Sequence, residues 1–487
     1  MTRTLGALVA LAWLAAFGAA PATAQEDLNA LKKSCEKAAN AADCLKLAGL
    51  HARGEGTPKD LGKAANFYKK ACDGSNAQGC LELAHMHRTG EGASRDVQKA
   101  ALLLKRGCDL GNPEGCTTLA LIYFEGKELP KDLTQASALL GQGCDAGGAK
   151  SCVVLGGMLL EGRGVDQDVK KAATLFRKAC DGGQVEGCSP LGVLLRDGRG
   201  VGKSPAEAVA LFKRACDASA PAGCYNLGLA HEEGQGVPKD AARAAALFTQ
   251  ACDGNEAGAC YRLGLMVRDG GVEKRDLARA RELLKKGCDG GFAYACHDLG
   301  MLVGTGKGGP RDLAQAAIHF QEACGGGDGR GCVTLGTLYL GGKGVARDLV
   351  RAAPLFISGC EEGNVEGCSK AASMLELGEG VGRDMPRARA FFKKACDGGV
   401  AADCFHLGSF YARGQGVEPS MTTAIPLFQK ACQGNHPEAC YEVAYLTETG
   451  QGLPKDYNGA TELYKRSCDG GFAKACEKVR QRQRAPR

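Results

Sequence analysis

Tryptophan occurs once in the 487 residues, and aromatic residues make up only 6% of the chain. A core built mainly on large rings is excluded, so small and aliphatic side chains must fill most of the interior. Long apolar runs are scarce as well. The one present, LGALVALAWLAAFGAA at 5–20, follows Arg3 and precedes the small-x-small ATA at 22–24, which is the form of a cleavable secretion signal. It falls short of the ~20 residues that a membrane span needs, and no later segment approaches that length. No cysteine stands at the expected cleavage point, so nothing indicates a lipid anchor. An excess of one charge is also lacking: 61 basic residues meet 55 acidic ones, without the clustered Lys and Arg of a nucleic-acid footprint. These absences lead us to expect a soluble periplasmic or secreted chain with no nucleic-acid partner and no membrane span after signal cleavage.

Cysteine and glycine, by contrast, are abundant, at 26 and 72 residues. The cysteines come in pairs with a fixed spacing: Cys72 and Cys80, Cys108 and Cys116, Cys144 and Cys152, Cys180 and Cys188, Cys216 and Cys224, Cys252 and Cys260, Cys288 and Cys296, Cys324 and Cys332, Cys360 and Cys368, Cys396 and Cys404, Cys432 and Cys440, Cys468 and Cys476. Each pair begins 36 residues after the last. One earlier pair, Cys35 and Cys44, has an extra residue between its members. A strict period of this length signals stacked structural repeats.

Residues 80–108, CLELAHMHRTGEGASRDVQKAALLLKRGC, show what one repeat contains. Leu83, Ala84, Met86 and His87 recur at helical spacing after Cys80. Gly90 then ends this first helix, and a glycine holds the same place in all twelve units, from Gly54 to Gly450. A left-handed residue just past a helix end accounts for it. After a short loop, Asp96 is positioned to cap a second helix. Ten units have Asp there, and Ser204 and Ser420 are expected to serve equally well. Pro205 follows at the first helical position, where proline fits. An alanine stands four residues past every cap, and Gly or Ala four residues past each second cysteine from Cys44 to Cys440, so the two axes can approach closely. Such a hairpin cannot bury its apolar stripe alone, and neighbours must stack into a solenoid.

The seven residues between paired cysteines are turn formers, as in DGGQVEG at 181–187. A tight turn there brings the Cα atoms within the ~4.4–6.8 Å that a disulfide requires. Thirteen local bridges are expected, each clipping one repeat to the next. Structural zinc is the alternative, but its usual ligand sets join two pairs or add a histidine pair, and successive pairs here lie one repeat apart.

The stretches LGVLLRDGRGV (191–201) and SPAEAVALFKRACDASAPAGC (204–224) resemble the Sel1-like repeat, a relative of the tetratricopeptide repeat. With paired cysteines, a 36-residue step and a signal, the chain is similar to the Helicobacter cysteine-rich protein family over roughly 26–476. The resemblance implies an all-α, α/α solenoid forming a right-handed superhelix. Members of that family are described as penicillin-binding proteins or weak β-lactamases, and others as secreted proteins that engage host cells. A cysteine-rich Sel1-type protein of the mitochondrial intermembrane space is a second relative, but the signal here fits a bacterial extracytoplasmic protein better. The expected organisation is a signal at 1–24, a capping helix and first disulfide turn at 25–43, twelve repeats at 44–475 and a polar tail at 476–487.

Residues for catalysis are not evident. A serine β-lactamase needs Ser-x-x-Lys with companion Ser-Asp-Asn and Lys-Thr-Gly elements. Ser34 to Lys37 has the first form, but the companions are missing. His85 and His87 lie two apart on a helix and point to different sides, which disfavours a shared metal. No cofactor is expected, and β-lactam hydrolysis is implied by the resemblance alone.

Binding has more support. With Leu263, Gly264 and Val267 facing inward, positions one, five, eight and nine after the second cysteine face away from the core, on what repeat solenoids present as a concave surface. Tyr225, Tyr261, His297, Phe405 and Tyr441 hold the first position. Leu229, Met301 and Tyr445 hold the fifth, and Glu232, Arg268 and Glu448 the eighth. This aromatic and charged mixture suits a protein or peptide ligand, with a cell-wall-derived or β-lactam-like small molecule as the alternative; packing of the aromatics between repeats is the competing explanation. Three weak points are also expected. The turn CGGGDGRGC (324–332) should flex, and Pro354 and Pro426 should each kink a second helix.

Overall fold

The computed structural model describes residues 22–271 and 274–484. The expected secretion signal lies outside the described residues except for 22–24, which open the helix Ala22–Lys37. Among the described residues there are 26 α-helices, one short 3-10 turn and no strand. None of these helices is long and apolar enough to cross a membrane. The chain divides into two units, one ending at Lys239 and the other beginning at Asp240, and each is an α/α solenoid of stacked hairpins.

Helix ends follow the sequence closely. All twelve glycines that close the first helices are left-handed, with φ from 63° at Gly342 to 84° at Gly90. All ten Asp caps accept a backbone N–H from the first turn of their helix, as Asp96 does from Lys99 at 2.9 Å. Ser420 caps through Thr423 at 3.3 Å. Ser204 departs from expectation: its side chain makes no capping bond, and the helix Pro205–Asp217 starts on Pro205 alone. Proline presets the backbone of the first turn and has no N–H to satisfy, so the helix begins without the serine oxygen.

Small residues on the first helices meet rings on the second. A Cβ on Gly192 would lie 2.4 Å from Phe212, and one on Gly300 2.7 Å from Phe320. Phe212, Phe248, Phe356 and Tyr464 are fully buried, and alanines such as Ala208 and Ala352 lie beside them. The few aromatics therefore centre the layers, and the abundant alanines let the helices close around them.

All thirteen expected bridges are formed, with Cα–Cα separations between 4.4 Å at Cys216–Cys224 and 4.9 Å at Cys180–Cys188. Each of the twelve regular bridges joins the end of one second helix to the start of the next first helix. Between the cysteines the chain reverses through one left-handed residue, Gly111 or Ser219 for example.

Of the expected weak points, the glycine-rich turn is held at its centre by side-chain bonds. Asp328, within the glycine-rich turn, is buried, accepts the Arg330 N–H at 3.0 Å and is gripped by the Arg330 guanidinium at 2.8 to 3.2 Å. Pro354 and Pro426 sit inside Leu349–Glu361 and Met421–Gln433, which remain continuous.

Candidate functional site: the face of the first helices

Leu263, Gly264 and Val267 are buried, which fixes the inward side of the first helices. The residues expected to face outward divide by position. At the fifth position Met301 and Tyr445 are open to solvent, at 44% and 39%, while Leu229 is half-buried. At the first position Tyr225, Tyr261, His297, Phe405 and Tyr441 are all half-buried. Three of them meet the residue 31 places on, which immediately precedes the next first helix: Tyr261 lies 5.0 Å from Phe292, Phe405 4.7 Å from His436, and Tyr441 5.2 Å from Phe472. His297 lies 5.6 Å from Phe320. These rings pack repeat against repeat while keeping one edge in water.

The eighth-position charges are engaged in the same way. Arg268 forks Asp269 at 2.7 and 3.0 Å and reaches Asp298 at 3.5 Å. Glu448 accepts from Tyr464 at 2.8 Å and pairs with Arg482 at 2.7 Å and Lys478 at 3.8 Å. Glu232, half-buried in the helix Pro221–Glu233, has its own interaction.

Sequence reasoning missed the second position. Its residues pair with the eighth position of the preceding first helix, 30 residues back: Asp298 with Arg268, His406 with Glu376 at 2.8 Å, and Lys478 with Glu448. The signal was present as complementary types at a fixed 30-residue offset, visible only once the stacking offset is known.

The densest arrangement surrounds Asp298. His297 Nδ1 is 3.1 Å from its carboxylate, Arg330 3.8 Å and Arg268 3.5 Å. Burial pushes its pKa upward, but the His297 hydrogen bond and the two guanidinium charges outweigh that and hold it below the ordinary value. Arg330 also lies over the Tyr294 ring, 5.0 Å from its centre. Tyr294 itself is 49% exposed. Burial raises the Tyr261 phenol, as does the nearby Asp298 charge. The result is a patch in which Tyr261 and Arg330 flank Tyr294, with Met301 seven residues along the same helix as Tyr294.

Two of the residues tested for chemistry, Ser34 and His87, are occupied elsewhere. Ser34 donates to Asp43 at 2.6 Å. His87 is buried with Nδ1 2.9 Å from the Ser94 carbonyl, and His85 is exposed. Among the described residues one cluster has metal-ligand character, Cys288, His319 and Glu322. The Cys288 sulfur is bonded to Cys296, so only the imidazole and one carboxylate remain as donors.

Twelve consecutive segments, from 41–76 to 437–472, match the Sel1 repeat. The chain belongs to the Sel1 repeat family. Its C-x7-C disulfides place it with the cysteine-rich Sel1 type. A protective antigen of uropathogenic Escherichia coli with an SLR fold is 24% identical over 94% of this chain and 98% of that one, with a TM-score of 0.56. Cysteine rich protein B of Helicobacter pylori is 33% identical over 27% of this chain and 96% of that one, with a TM-score of 0.24. A Sel1 repeat protein from Oxalobacter formigenes is 25% identical over 50% of this chain and 96% of that one, with a TM-score of 0.42. No curated protein matches. Sel1 repeats form scaffolds for contact with other proteins, and thirteen disulfides fit an oxidising compartment outside the cytoplasm.

Proposed function

We propose that this Sel1 chain is a periplasmic or secreted scaffold that binds a protein or peptide partner through its first-helix face. The observation that carries the reading is the patch around Asp298. There Tyr294 and Met301 stand in solvent while Arg330 is fixed by Asp328 and stacked on Tyr294. Exposed aromatic and arginine side chains held in place before binding lose little entropy when a partner arrives. Tyr261 supports the patch from beneath, and Tyr441 and Tyr445 offer a second aromatic contact further along the same unit.

The test is capture from periplasmic extract and culture medium with the purified, oxidised chain as bait. A partner retained by the wild type and lost by the Tyr294→Ser/Met301→Ser double variant supports the reading. Equal capture by both proteins refutes this patch. Nitrocefin turnover that survives repurification and vanishes with a single substitution would replace the scaffold reading with a hydrolase.

A further inference from the structure

Along much of the chain the second helices are tied to one another by charge. The residue two before the first cysteine of a pair reaches back to the acid that ends the preceding second helix. Arg106 meets Asp73 at 3.6 Å, Lys178 meets Asp145 at 3.7 Å, and Lys430 meets Asp397 at 3.2 Å. The residue one place earlier holds the acid of its own helix, as Lys69 does Asp73 at 2.9 Å and Lys393 does Asp397 at 2.6 Å.

The base is replaced by Gln142 in Leu133–Asp145 and by Gln250 in Ala241–Asp253, and the pattern departs further in two consecutive second helices, Leu313–Gly325 and Leu349–Glu361. The same two positions there hold Gln321 and Glu322, then Ile357 and Ser358. Neither helix has a base in its last turn. Glu322 and Glu361 sit there instead, at the negative end of the helix dipole where a carboxylate is disfavoured, and Glu362 follows. Among the described residues no Lys or Arg pairs with Glu322, Glu361 or Glu362, and Lys394, at the position that would reach back to Glu361, makes no ion pair with it; Glu322 meets His319 at 2.9 Å and the Cys288 sulfur at 3.3 Å.

The same helices turn apolar side chains outward. Val350 is 71% exposed and Ile318 50%, Pro354 is exposed and Ile357 half-buried. Residues 350, 354, 357 and 361 follow a helical stripe, so the apolar row runs directly into an unpaired carboxylate. Pro354 has no N–H, which leaves the Val350 carbonyl without its usual helical donor, in the middle of the row. Missing bases, exposed apolar groups and an in-helix proline coincide on this face.

We propose that this face binds a segment of a partner protein that presents apolar side chains flanked by Lys or Arg. The apolar row takes the apolar groups, and the unpaired carboxylates take the cations. The site lies on the second helices, so it stands or falls separately from the first-helix patch.

The test measures fluorescence anisotropy of a labelled amphipathic leucine–lysine peptide with the full oxidised chain at physiological salt. Leucine–glutamate and serine–lysine peptides of equal length are the controls. The leucine–lysine peptide should bind, and both controls should bind far more weakly. Val350→Ser and Glu361→Lys should each weaken binding by about tenfold or more. Leu102→Ser, on an exposed second-helix residue in the other unit, should leave it unchanged. Equal binding by the serine–lysine peptide, or no effect of either face variant, would overturn the proposal. A wild-type dimer in sedimentation that Val350→Ser dissolves would overturn it too, assigning the face to a second copy. Circular dichroism verifies folding, and if Val350→Ser fails to fold, the exposed Glu361→Lys decides alone.

Discussion

Tyr464 shows how much a single side chain can hold. It is fully buried, and its hydroxyl donates to Glu448, which is also paired with Arg482. Burial pushes the phenol well above its ordinary value, and Glu448 reinforces the shift. For Glu448, burial alone would raise the pKa, but bonds from Arg482 and Tyr464 prevail and hold it below the usual carboxylate value. A depressed carboxylate adds stability above its unfolded pKa and loses it as pH falls through the folded one. Tyr464→Phe should therefore cost about 1.5–3 kcal/mol near neutrality, the worth of a hydrogen bond to a charged group. The gap in Tm between wild type and Glu448→Gln should close on acidification, and a pH-independent gap in thermal melts would refute the pairing. A second residue-scale case is Ser219, left-handed at φ 60° in the turn where Gly111 and Gly147 stand in other repeats. Ser219→Gly should raise stability by about 1 kcal/mol by removing that strain, measured as an upward shift of the denaturant midpoint at constant m.

Among single elements, the helix Pro205–Asp217 is the informative exception. It begins at Ser204 without the capping bond that Asp provides elsewhere. Ser204→Asp should restore an acceptor for the first turn and stabilise the chain by about 0.5–1 kcal/mol, whereas Asp240→Ala should cost a similar amount. Thermal melts of both variants check the pair of signs, and a loss from Ser204→Asp would mean that the turn cannot accommodate the carboxylate. Helix positions, end glycines, Asp caps and cysteine pairing were legible in the sequence because each depends on residues within one period. Two kinds of feature were not. Asp298, which meets Arg268, and Lys478, which meets Glu448, each lie 30 residues on, across a stacking offset that no local pattern contains. The grip of Arg330 on Asp328 likewise depends on side-chain direction, so a turn with five glycines read as loose.

At the scale of the molecule, each repeat touches mainly its neighbours, so stability is a sum of hairpins and the interfaces between them. The disulfides act on the interface part, since each regular bridge spans one second helix and the next first helix. Closing a loop of this size removes about 2.5 kcal/mol of unfolded-state entropy per bridge in the chain-entropy model. A bridge lost in the interior of a unit should then cost little as a local contact but much as coupling. Cys324→Ser with Cys332→Ser tests this, because Phe320, Leu335 and the Asp328–Arg330 grip still pack that junction. The double variant should remain helical, lose about 2–3 kcal/mol, and unfold over a broader range as the repeats on either side begin to melt separately. Hydrogen exchange should show protection falling around 313–341 while distant repeats keep theirs. A single sharp transition at the wild-type temperature would show that packing alone couples the repeats and that the sulfur clips are dispensable to the stack.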